Sequence, residues 1–165
     1  MTAADLDPIL EDIRSSRGLS DYEATEVLWV ALVKLGNLMP ENNEHRRMLA
    51  LVRGMPANGL RGLLSSPAVD ALLSLDPPLE GILSSPHERL DAHATEHAIQ
   101  EIRRDRDSAP YEAAVALGEV LKRIRNKRAH GFKTRSGPRD QQILGAARRI
   151  LEDMCGLGVG ALSPS

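Results

Sequence analysis

The chain has 165 residues, 42% hydrophobic and 27% charged with a net charge of −2, a size and balance that suit one ordinary core and exclude wholesale disorder. Only Tyr22, Trp29, Tyr111 and Phe132 are aromatic. The core must therefore come from Leu, Ile, Val, Ala and Met, and the sequence predicts an all-α, compact helical bundle. The single Cys155 excludes an internal disulfide, and no basic stretch followed by an apolar run opens the sequence. The longest apolar run, Val27 to Val33, is far short of the ~20 residues a membrane-spanning helix needs. The expectation is a cytoplasmic protein without membrane contact.

In chain order, a first helix is expected over about 4–16. Ser20 and Glu23 then form a capping box, in which the Ser hydroxyl and the Glu carboxylate satisfy first-turn N–H groups that have no partner within the helix. The helix behind it carries Val27, Val30, Ala31 and Lys34–Leu35 at helical spacing and ends near Pro40. Shorter helices follow at about 43–53, 58–65 and 67–75. Ser85, Pro86 and Glu88 make a second box, opening a helix to about Arg104. Pro110 opens the next, whose stripe of Leu117, Val120, Leu121 and Ile124 runs to a stop just after His130, where Gly131 suits the residue past a helix end. Pro138 opens a last amphipathic helix to Met154, so that 110–154 reads as an antiparallel helical hairpin. One domain is assigned to 1–155, and the Gly- and Ser-rich stretch 156–165 is read as a flexible C-terminal tail. The sequence 60–67 recurs in outline at 79–86, which reads as two similar helix-to-helix corners, since two copies do not make a solenoid.

Charge is unevenly spread. Lys122, Arg123, Arg125, Lys127, Arg128, Lys133, Arg135 and Arg139 fall between positions 122 and 139 with no acid, a window of +8 that leaves −10 for the rest. Such asymmetry points to an anionic partner at one corner of the molecule. The stretch Arg125-Asn126-Lys127-Arg128-Ala129-His130-Gly131 lies at the end of the penultimate helix and is followed by a polar loop and Pro138-Arg139-Asp140. Over residues 110–154 this resembles the HEPN domains, in which an Arg, often followed by Asn, precedes a His by four to six positions. Family members commonly place bulky apolar residues just before the His, whereas Arg128-Ala129 stand here. Arg128 projects onto the apolar stripe at 100° per residue, so either the helix loosens in its last turn or Arg128 faces a partner subunit or RNA.

The resemblance implies a metal-independent endoribonuclease with no cofactor, serving as a toxin, a defence protein or an RNA-processing component. His130 suits proton exchange near neutrality. Arg125 cannot titrate and suits bidentate phosphate contact, and Asn126, four residues before His130, can orient the imidazole or the phosphate. Lys122, Arg123, Lys127, Arg128, Lys133, Arg135 and Arg139 would hold the RNA backbone. Arg125 and His130 stand about 140° apart on an ideal helix, so one hairpin assembles the pair poorly. The family arrangement, in which two hairpins meet about a two-fold axis in a homodimer, brings an Arg and a His from each subunit to one cleft. An antitoxin or other protein partner also fits that context. The alternatives are a non-catalytic HEPN-like module that binds RNA or a nucleotide, and a helical adaptor whose basic corner meets an acidic protein.

Two other features carry less. His93-Ala94-Thr95-Glu96-His97 has the His-x-x-Glu-His order of inverted zinc proteases, but the chain offers little room for a third ligand and a substrate-enclosing scaffold. His97 instead reads as a core or interface histidine beside Leu90, Ala94 and Ala98, and no metal site is assigned. Cys155 reads as a structural residue rather than a nucleophile.

Overall fold

The computed structural model describes residues 2–76, 78, 79, 89–130 and 137–163, with side chains throughout except at 89–92 and 127–130. Among the described residues there are eight helices and no strand: α1 (Ala3–Ser16), α2 (Asp21–Asn37), α3 (Glu44–Arg53), α4 (Ala57–Leu64), α5 (Pro67–Leu73), α6 (Arg89–Asp105), α7 (Pro110–His130) and α8 (Pro138–Leu162). No helix among them is long and apolar enough to cross a membrane.

The helix starts follow from short polar side chains taking up first-turn N–H groups. The Ser20 hydroxyl accepts from the Glu23 N–H at 3.3 Å and meets the Glu23 carboxylate at 3.1 Å, Asn43 Oδ1 accepts from the Arg46 N–H at 3.2 Å, and Ser66 Oγ accepts from the Val69 N–H at 3.4 Å. Pro67 and Pro138 each stand in the first turn of a helix, where a missing N–H is not required. The corner from Leu60 to Pro67 is the helix-to-helix turn expected of it. Its second copy lies mostly outside the described residues, as do Ser85, Pro86 and Glu88.

Helix α2 is the hub. It packs most extensively on α8 and also meets α1, α3 and α7, while α6 lies along α7. The face that α2 buries is Ala24, Thr25, Leu28, Ala31, Leu32 and Leu35. The stripe expected through Val27 and Val30 is therefore rotated: both are only half buried, and Lys34 is exposed. With neighbours on several sides, α2 buries a wider arc than one stripe, and its apolar residues alone leave the centre of that arc undefined. On α7 the expected stripe is correct, with Leu117, Val120, Leu121 and Ile124 all buried to 1% exposure or less. The two helices of the expected C-terminal hairpin, α7 and α8, touch each other far less than α7 touches α6 or α8 touches α2.

The tail expected from Gly156 is corrected by the structure, because α8 continues unbroken to Leu162. Glycine there serves packing, not a turn. A Cβ on Gly158 would lie 3.1 Å from Leu35 Cδ1 and 3.5 Å from Met55 Cε, so its absence lets α8 settle onto α2. On the same helix Arg148 is only 17% exposed and clasps the α1–α2 corner. Its Nη1 donates to the Leu19 carbonyl at 2.8 Å and to Asp21 Oδ1 at 2.9 Å, its Nη2 to the Ser16 carbonyl at 3.0 Å, and its Nε to Glu152 Oε1 at 3.0 Å.

Candidate functional site

The last turns of α7 bring the candidate residues to one end of the bundle. Ile124, fully buried, anchors that part of the helix to the core, which carries the adjacent Arg125 and Asn126 to the surface. The helix persists to His130, so Asn126 and His130 keep the four-residue spacing that puts them on one face. No loosening precedes His130 at the level of the backbone. The side chains of Lys127, Arg128 and His130, and all of Lys133 and Arg135, lie outside the described residues.

Arg125 is engaged on two sides. Its Nε donates to Glu26 Oε2 at 2.9 Å and its Nη2 to Glu26 Oε1 at 2.8 Å, a bidentate pair reaching from α7 to α2. Its Nη1 donates to Asn126 Oδ1 at 3.2 Å. Arginine is suited to this because its planar fork matches the two oxygens of a carboxylate. The pair is partly open to water, with Arg125 33% and Glu26 30% exposed. The hydrogen bonds to Glu26 push the Arg125 guanidinium further up from its already high range, against an opposing effect of burial, with the negative charge of Glu26 adding least.

Other cations of the basic segment also meet acids or carbonyls that are distant in sequence. Lys122 Nζ, half-buried, lies 3.2 Å from Oε1 of the exposed Glu44, and Arg139 donates to the Asp76 carbonyl. Arg123 is half buried and lines a groove of about 530 Å³ between α3, α6 and α7, together with His45, Arg53, His97, Glu101 and Glu119. The +8 of the sequence window is thus partly balanced in space: Glu26 and Glu44, from α2 and α3, supply the acids that 122–139 lacks. Neither residue is distinguishable in the sequence from any other surface glutamate, and only the packing of α2 and α3 on α7 selects them.

Of the two settings expected for His97, core or interface, the structure removes the core. His97 is 76% exposed, with Nδ1 3.9 Å from Glu101 Oε2, and is neither a core nor a fully enclosed residue. His93 is likewise exposed, with Nδ1 4.0 Å from Glu96 Oε2. Among the described residues no three His, Cys, Asp or Glu side chains converge as a set able to hold a metal ion. Cys155 is buried, its thiol donates to the Leu28 carbonyl at 3.5 Å, and burial pushes its pKa up to about 12, so it is a packing residue and not a nucleophile.

Comparison of the chain with protein-family models, with curated proteins and with solved structures gives no match.

Proposed function

We propose that this chain is a metal-independent endoribonuclease of the HEPN type, acting as a homodimer in a toxin, defence or RNA-processing setting. The observation that supports it most directly is the continuity of α7 through His130 with Arg125 and Asn126 hydrogen-bonded to each other one turn earlier. The backbone of α7 thus carries Arg125, Asn126 and His130 together in the last turns of one helix.

Cleavage needs a base to take the proton of the RNA 2′-hydroxyl as its oxygen attacks the adjacent phosphorus. It also needs charge stabilisation on the phosphorane and an acid to protonate the departing 5′-oxygen. In a two-fold dimer, His130 of one subunit serves as base and its symmetry copy as acid. Arg125 faces the equatorial oxygens, and Asn126 keeps the guanidinium in place. The products are a 2′,3′-cyclic phosphate and a 5′-hydroxyl.

A second reading, a module that binds RNA without cutting it, is favoured by the bidentate Glu26–Arg125 pair, since a guanidinium held by a carboxylate is not free to stabilise a phosphorane. The test is an assay of purified protein on 5′-labelled RNA, with and without chelator. Wild type should cut in chelator, while His130→Ala and Arg125→Lys should not, the latter because a point charge cannot reproduce a fork. Cleavage undiminished in His130→Ala overturns the enzyme reading. Salt-sensitive binding by an inert wild type selects the second.

A further inference from the structure

Of the features outside the proposed chemistry, the one carried furthest is the acid on the opposite helix. We infer that Glu26 is a built-in competitor for the anion that Arg125 binds, so that an RNA phosphate engages Arg125 by displacing a carboxylate of the same chain. The inference rests on the RNA reading of this corner.

The geometry supplies the argument. Glu26 meets Arg125 Nε and Nη2 at 2.9 and 2.8 Å, and these are a pair of parallel donors that a phosphate also takes in bidentate contact. A paired guanidinium presents little net charge to an incoming polyanion. Its attraction for phosphate is recovered only when the carboxylate withdraws. Both partners are about one-third exposed, so withdrawal puts Glu26 into water rather than into the core. Asn126 Oδ1 keeps its hold on Nη1, so the guanidinium does not collapse when Glu26 leaves. A tie between α2 and α7 needs no such access. α2 and α7 already touch, and each contributes buried residues to the core, Leu28 from α2 and Leu121 from α7, so the partly exposed ion pair is not what joins them.

The experiment measures binding of a 2′-O-methyl RNA oligonucleotide, which has no 2′-hydroxyl to attack, at one fixed salt concentration. Wild type, Glu26→Gln, Arg125→Gln and the double variant are compared by fluorescence anisotropy, with a thermal melt of each. Glu26→Gln is expected to bind about fivefold more tightly, the size set by a partly exposed ion pair. The gain should vanish when Arg125 is also replaced. A gain that persists without Arg125 is a long-range charge effect and overturns the inference, as does unchanged or weaker binding by Glu26→Gln. Should Glu26→Gln fail to fold, Glu26→Asp decides: its shorter side chain retreats from the fork, so binding must tighten in the same direction. Binding without any cleavage of ordinary RNA removes the enzyme reading and leaves this one standing. Absence of RNA binding in every variant removes both.

Discussion

Replacing Arg148 with Met keeps the hydrocarbon stem and deletes the charged head, which isolates the clasp over the α1–α2 corner. Its partners are not equal. Asp21 and Glu152 are 45% and 42% exposed and regain water when the guanidinium goes, so each loses little. The Ser16 and Leu19 carbonyls lie under the head, and Ser16 is only 1% exposed. The Ser16 carbonyl still accepts from the Leu19 N–H at 3.1 Å, whereas the Leu19 carbonyl loses the donor the guanidinium gives it. Leaving such an acceptor without a donor costs about 1–3 kcal/mol when no water replaces it, so the whole substitution should cost about 2 kcal/mol. With a urea dependence of roughly 2 kcal/mol per molar for a domain of this size, the midpoint should fall by on the order of 1 M. Circular dichroism during urea titration reads it, and Arg148→Lys should recover part of the loss because an ammonium reaches fewer of the acceptors at once. A midpoint within about 0.2 M of wild type, at unchanged slope, would show that the corner is held by packing alone.

Gly158→Val adds carbon into space where even a Cβ would sit 3.1 Å from Leu35 Cδ1, with Leu35 fully buried; a loss of about 1–3 kcal/mol is expected in the same titration, and a neutral result would mean that α8 can shift on α2. Cys155 should resist alkylation in the native protein at pH 8 and react promptly in denaturant, because burial holds its pKa at about 12; equal rates in the two states would contradict its burial. The same shift has a sign for stability. The unfolded thiol ionises near its ordinary value of 9.0 while the native thiol stays protonated, so this group makes the native state progressively less favoured as pH rises from there towards 12. A stability that climbs over that interval would require another group to dominate.

The helical elements were legible because their ends are marked by residues with one structural use. Ser20 and Pro138 sit at helix starts for reasons that hold in any context, and they placed the starts of α2 and α8. Glycine misled at 156, 158 and 160, because its permissive backbone suggests a tail while the helix runs on through all three, and only at Gly158 does the missing side chain admit a neighbouring helix. The apolar pattern could say that α2 is buried but not which direction is inward, since Val27 and Val30 are as apolar as Leu28 and Ala31. At the candidate site, the sequence placed Arg125 and Asn126 near the end of one helix because three consecutive turns of periodicity define it. It did not reveal Glu26, since an ion pair between residues 99 positions apart leaves no local pattern.

The pairing of α2 with α8 bears on how the chain reaches this fold. Cys155 reports to the Leu28 carbonyl across 127 positions and Arg148 to the Leu19 carbonyl across 129, so the central contact joins segments that are made far apart in time. At ribosomal speeds of about 5–20 residues per second, α2 waits on the order of ten seconds after its own synthesis before α8 exists to cover it. During that interval its widest apolar face is an invitation to other nascent chains, and contacts of such long range are slow to close even once both partners are present. Refolding yield should therefore depend on protein concentration more steeply than the protein's small, local helices alone would suggest.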